Sequence, residues 1–202
     1  MSAHPTLPGE LVDDVADRPA TWPVASSDRV YSSAYLDVDV DVIVDPQGDE
    51  HSRAVVRPNG AVGVLALDED DRLLLVVQYR HPVAARLVEL PAGTLDVEGE
   101  EPQEAAAREL AEEADVVAAE WAPLISLLSS AGYTSEACQI FRASGLSAVP
   151  EDERTERRAE EAGMEQWWVP FEKVVDAVLD GSVRDATMCA AVLAEAAHRR
   201  SR

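Results

Sequence analysis

A chain of 202 residues with 39 acidic against 17 basic side chains, a formal charge of −22, is a poor candidate for gripping nucleic acid or an anionic membrane, which takes clustered Lys and Arg. Its 47% hydrophobic and 28% charged residues suit one well-cored domain with a small appended piece. No stretch approaches the ~18 apolar residues a membrane span needs, and Met1 to Pro19 lacks the basic start and apolar run of a secretory signal. Cys138 and Cys189 form no metal-ligand or redox pattern, so a reducing, cytoplasmic setting is expected, with both thiols packed as small apolar groups.

Residues 1 to 28, rich in Pro, Asp and Ser, read as a loosely held arm, and 29–202 as the folded domain. The run Tyr-Leu-Asp-Val-Asp-Val-Asp-Val-Ile-Val from Tyr35 alternates as a half-buried strand does. Pro46 to Asp49 is a turn signal, and His51 to Arg57 returns as a second strand. Ala61 to Leu67 and Leu73 to Gln78 are continuously apolar and read as buried central strands. Pro102 to Ala114 is dense in Ala, Glu, Leu and Arg, with proline where a first helical turn tolerates it. Short strands are expected over Trp121–Leu127, Gln139–Ala143 and Glu165–Val169, with an exposed charged loop over 149–163. Helices near Phe171–Leu179 and Asp185–Arg199 close the chain, with Gly181 as a stop signal after the first. The order predicts a mixed α/β (α+β) domain with helices outside a sheet.

Chemistry concentrates in Glu89-Leu-Pro-Ala-Gly93, a loop, and Arg108-Glu-Leu-Ala-Glu-Glu113. Glu109, Glu112 and Glu113, at i, i+3 and i+4, share one helix face, where like charges destabilise by a few tenths of a kcal/mol per pair. Such a face is either solvated or neutralised, and the natural counter-charge is a hard, oxygen-seeking cation such as Mg²⁺. Arg108 can pair with Glu104 one turn back or hold a neighbouring carboxylate. The turn Pro91-Ala-Gly93 can bring a backbone carbonyl towards the same ion.

These residues resemble the box of the Nudix hydrolases: Gly, five spacers, Glu, seven spacers, then Arg-Glu-apolar-any-Glu-Glu-any-Gly-apolar. Gly93, Glu100, Arg108, Glu109, Leu110, Glu112, Glu113 and Val116 fill its places. There are two departures. Six residues separate Gly93 from Glu100, with the extra one placed within Val97-Glu98-Gly99, and Asp115 stands where the box has glycine. Asp is among the few residues that tolerate the left-handed conformation a glycine cap adopts, so no metal ligand is expected to be lost.

The resemblance implies an α/β/α sandwich with a mixed central sheet and an N-terminal antiparallel strand pair. Gln78-Tyr-Arg-His81 before Leu87-Val-Glu-Leu-Pro-Ala-Gly93 is similar to the ADP-ribose pyrophosphatase branch, which implies that Arg80 contacts a phosphate. Ser130 to Glu136 resembles a loop of that branch, with Ala131 in place of its usual proline; Glu136 is either a site residue or a loop acid. Ala159 to Trp167 resembles the loop that supplies the catalytic glutamate, which puts Glu160 at the base position and Glu161 as the fallback.

The implied activity is metal-assisted hydrolysis of ADP-ribose, or a similar nucleoside diphosphate sugar, to AMP and ribose 5-phosphate. Glu109, Glu112, Glu113 and the Ala92 carbonyl would hold Mg²⁺ (or Mn²⁺), with Arg108 and Glu112 part of the catalytic machinery. The resemblance also implies a homodimer on a small nucleotide substrate, with an unidentified aromatic stacked on adenine. Two alternatives stay open: a Nudix enzyme for another nucleoside diphosphate derivative, and a ligand-sensing Nudix module without catalysis.

Overall fold

A computed structural model of the chain describes residues 2–3, 5–155, 157 and 163–201. Glu160 and Glu161, named from the sequence as candidates for the base, lie outside the described residues.

The described elements run β1 (Ser2–Ala3), β2 (Glu10–Leu11), β3 (Val24–Ser32), β4 (Leu36–Val44), β5 (Glu50–Pro58), β6 (Ala61–Ala66), β7 (Arg72–Arg80), β8 (Ala85–Glu89), β9 (Ala92–Thr94), α1 (Pro102–Ala114), β10 (Val116–Leu128), β11 (Ala137–Ala148), β12 (Glu165–Pro170), α2 (Phe171–Leu179) and α3 (Ala186–Arg200). A mixed four-stranded sheet has the order β10-β11-β6-β9, in which only β11 and β6 are parallel. The order β12-β7-β8 makes an antiparallel three-stranded sheet.

Strand alternation splits the core in two. Val62, Val64 and Ala66 of β6 and Leu74 of β7 pack with Ala105, Ala106 and Leu110 of α1. The alternate residues Leu65, Leu73 and Leu75 pack with Phe171 and Val174 of α2 and with Met188 and Val192 of α3. Helices therefore cover both faces of the strands, as an α/β/α sandwich requires. Gly181 follows α2 in a left-handed conformation (φ 79°), and Asp185 caps α3 by accepting from the Met188 amide at 2.8 Å.

Three features differ from the sequence-based expectations. The N-terminal strands form a three-stranded antiparallel sheet, β3-β4-β5, and β3 begins at Val24, inside the segment expected to be an arm. β3 is exposed throughout and has no clean apolar alternation; it is ordered by its ladder to β4 and by polar ties such as Ser27 Oγ to Asp41 (2.6 Å) and Arg29 Nε to Asp39 (2.9 Å). The strands expected over 121–127 and 139–143 are the middle of a longer antiparallel pair, β10 and β11, whose register shifts between Pro123 and Ile125, where proline has no N–H to donate. The short strand β9 arises where the sequence showed only a turn.

In β4 the more deeply buried face is the acidic one. Asp39 and Asp41 are buried, whereas Val38, Val40 and Val42 are half-buried. Arg57 donates to both aspartates at 2.7 Å, and hydrogen bonds from Arg29 and then Arg57 hold the Asp39 carboxyl down to about 2. A depressed carboxyl stabilises the fold above its unfolded value near 3.8, and the contribution is lost as pH falls towards the folded value. Asp39→Asn is thus expected to lower the melting temperature at pH 7, by a margin that narrows below pH 4. Thermal melts of both proteins at pH 7, 4 and 3 check this; a margin that is constant with pH contradicts it.

Candidate active site

A pocket of about 580 Å³, in the size range of small-molecule sites, opens between α1, β9 and the ends of β7 and β8. Its lining brings together every sequence-nominated site residue that is described. Ala92, Glu109, Glu112 and Glu113 lie on it, as do Arg80, Arg108 and Glu136.

Helix α1 sets the carboxylates. It starts at Pro102 behind a reciprocal Glu101–Glu104 capping box, so Glu104 serves the helix start and Arg108 is left for other partners. With Ala105, Ala106 and Leu110 turned to the core, the 3.6-residue period carries Glu109, Glu112 and Glu113 towards the pocket. Arg108 then organises three acids at once. It donates to Glu100 at 3.1 and 3.0 Å, to Glu109 at 2.7 Å and to Glu112 at 3.3 Å. The hydrogen bonds from Arg108 tie the loop with the extra residue to α1, and they hold the Glu100 carboxyl below its ordinary range. Gly99 takes up that loop's turn at φ 81°, with open space around it.

Strand β9 lies against this face. The Ala92 amide donates to Glu113 Oε2 at 2.9 Å. At Gly93 a Cβ would fall 2.0 Å from Cδ of Glu109, so only glycine leaves room for that carboxylate. Burial pushes the Glu109 carboxyl above its ordinary range, with Arg108 acting in the opposite direction.

Asp115 closes α1 in the left-handed conformation expected of the box glycine (φ 52°, ψ 33°). Its amide donates to the Ala111 and Leu110 carbonyls.

Glu89 and Asp185 are among the pocket residues that carried no role in the sequence reading. Glu89 is buried, accepts from Arg80 Nε (2.9 Å) and Nη2 (2.6 Å), and accepts from Gln78 Nε2 at 3.1 Å. It therefore fixes the direction in which Arg80 faces the pocket. A lone acid at the end of β8 was the available signal. Asp185 reaches the pocket only because α3 starts there, and burial raises its carboxyl above the ordinary range. Nothing local in the sequence marks it. Cys138 also lines the pocket, its thiol pushed up to about 11 by burial, which disfavours the thiolate.

Seven carboxylates (Glu89, Asp96, Glu109, Glu112, Glu113, Glu136 and Asp185) share this lining with two guanidiniums, Arg80 and Arg108. A polyanion cannot enter such a field unless cations come with it. Among the described residues, no three Asp, Glu, His or Cys side chains already surround one point. Glu109 and Glu112 are turned onto Arg108, and Glu113 onto the Ala92 amide. The donor set is nonetheless carboxylate oxygen on one helix face, with a glycine kept clear beside it, which suits a hard divalent cation rather than a soft one.

Comparison with known proteins agrees with this geometry. The family model described as NUDIX domain matches residues 57–191. An ADP-ribose pyrophosphatase of Mycobacterium tuberculosis (strain ATCC 25618 / H37Rv) is 38% identical over 169 residues, covering 84% of this chain and 80% of the relative. An ADP-ribose pyrophosphatase of Bacillus subtilis (strain 168) is 30% identical over 167 residues, 83% of this chain and 88% of that protein. A methanol dehydrogenase activator of Bacillus methanolicus is 36% identical over 121 residues, 60% of this chain and 65% of its own. In fold, a crystal structure described as an ADP compounds hydrolase superposes with a TM-score of 0.75 at 20% identity, covering 92% of this chain and 98% of the other. With its box carboxylates gathered on one pocket wall and both sequence and fold in agreement, the chain belongs to the Nudix family.

Proposed function

We propose that the chain is a Nudix pyrophosphohydrolase that splits ADP-ribose, or a closely related nucleoside diphosphate sugar, into AMP and a sugar phosphate. The observation that carries this reading is the pocket in which seven carboxylates and two guanidiniums meet beside the Gly93–Glu109 contact. The two relatives that cover more than four fifths of this chain are named ADP-ribose pyrophosphatase.

Glu109, Glu112 and Glu113 would hold Mg²⁺, with Mn²⁺ as a substitute, and the Ala92 carbonyl is the backbone candidate beside them. When bound, the cation neutralises the pyrophosphate oxygens and lowers the pKa of a coordinated water. Arg108 keeps Glu109 and Glu112 in place from the helix side. Arg80, aimed by Glu89, presents a planar cation to a phosphate. Glu136 lines the pocket and is a candidate to accept from a sugar hydroxyl. Tyr35 is the one aromatic side chain on the lining among the described residues, which makes it the candidate to stack on adenine. Glu160, with Glu161 as the alternative, takes the proton of the attacking water. The water oxygen forms a new bond to phosphorus, the P–O–P bridge breaks, and for ADP-ribose the products are AMP and ribose 5-phosphate.

The half-buried apolar face of β4, with Val38, Val40 and Val42 beside Val56 and the exposed Tyr31, supports a homodimer built on this sheet. Two free cysteines fit the cytoplasm, and no described helix is long and apolar enough to cross a membrane.

Turnover of a panel of ADP-ribose, ADP-glucose, NADH and 8-oxo-dGTP tests the substrate. We expect ADP-ribose to give the highest kcat/KM with AMP as product. A higher value for any other member changes the substrate, and cleavage of none removes the enzyme reading.

A further inference from the structure

Asp115 is an expensive way to end a helix. Its backbone is left-handed, a conformation glycine adopts freely, and its carboxylate stands at the negative end of the α1 dipole. Its Oδ1 is buried with no hydrogen-bond partner among the described residues. Glycine would carry none of these penalties. What Asp115 holds in place is Arg157, which donates through Nη2 to Asp115 Oδ2 and through Nε to the Glu112 carbonyl at 3.2 Å. On β12, Gln166 Nε2 donates to the Glu113 carbonyl at 3.1 Å. The last carbonyls of a helix have no partner within it. Here, the two that belong to adjacent pocket glutamates are each taken by a side chain from a later part of the chain.

We infer that Arg157, anchored by Asp115, is a positioning residue of the cation site. It pins the backbone of Glu112, while Gln166 pins that of Glu113, and together they set where the two carboxylates stand. This rests on the cation reading of the pocket given above. Arg157 works through these residues and touches neither substrate nor ion in this role.

The test is Mn²⁺ binding to the substrate-free protein, read from the electron paramagnetic resonance of the free ion. Loss of a group that holds a ligand in place weakens metal binding by about 10- to 100-fold, so Arg157→Ala is expected to weaken it by about tenfold. Arg157→Lys, which cannot span both acceptors, falls between. Asp115→Gly weakens binding in the same direction, yet its melting temperature in EDTA stays close to wild type, because relief of the strained backbone and the orphaned oxygen offsets the lost ion pair to Arg157. A purely structural role would lower melting temperature and leave Mn²⁺ affinity unchanged. Affinities within twofold of wild type in Arg157→Ala and Asp115→Gly overturn the inference; should Arg157→Ala not fold, Asp115→Gly alone decides. A wild type that binds no Mn²⁺ overturns the cation reading, and this inference with it.

Discussion

Glu113→Gln is expected to lower kcat for ADP-ribose by about 10³-fold, some 4 kcal/mol of barrier, while leaving the fold intact. Glu113 is only 6% exposed and accepts from the Ala92 amide at 2.9 Å. Glutamine has the same shape, and its carbonyl oxygen can keep that hydrogen bond, so the helix and β9 stay joined. The negative charge is what disappears. That charge is unfavourable for the helix alone, since Glu109 and Glu113 are one turn apart, and removing it should leave the melting temperature in EDTA unchanged or slightly higher. Activity and stability therefore move apart, which a folding defect would not produce. Steady-state kinetics beside a thermal melt in EDTA checks both. A kcat within tenfold of wild type would mean that Glu113 is no part of the cation site.

Gly93→Ala is expected to cost about 10²- to 10³-fold in kcat, comparable to removing one group that stabilises the transition state. The reason is distance. A Cβ at residue 93 would sit 2.0 Å from Cδ and 2.1 Å from Oε1 of Glu109, far inside contact. Those atoms belong to a flexible side chain held by Arg108 at 2.7 Å, so the relief available is for Glu109 to swing away and give up that contact. Gly93 does not have a positive φ, so alanine brings no backbone strain of its own. The loss should thus fall on the carboxylate's position and little on stability. Mn²⁺ binding should weaken in parallel with kcat. An alanine variant with wild-type kcat would show that Glu109 is not needed where it stands.

These expectations rest on features of unequal legibility in the sequence. The i, i+3, i+4 spacing fixes which acids share a face of α1, and a helix keeps that relation wherever it packs. Ala105 and Ala106 precede the acids by one to two turns on that same side of α1 and are buried with Leu110, so the acids continue the packed side of the helix to where it meets the pocket. The left-handed turn at Asp115 was legible for the same local reason. Partners distant in sequence were not. Arg108 has Glu104 one turn back, but Glu104 is spent on the helix start, and Glu100 is reached only because the loop folds over. Glu89 carries no periodic signal, and its tie to Arg80 depends on the pairing of β7 with β8. Asp185 enters through the packing of α3. The buried acidic face of β4 was hidden because alternation gives two faces without saying which one is covered, and here Arg29 and Arg57 cover the aspartates.

The most direct measurement is AMP release from ADP-ribose by the purified chain, with Mg²⁺, with EDTA, and with Mg²⁺ restored, run beside Glu113→Gln. The account predicts AMP and ribose 5-phosphate in equal amounts with Mg²⁺, none in EDTA, recovery on restoring the ion, and near-silence in the variant. Hydrolysis that persists undiminished in EDTA, or in Glu113→Gln, would contradict it.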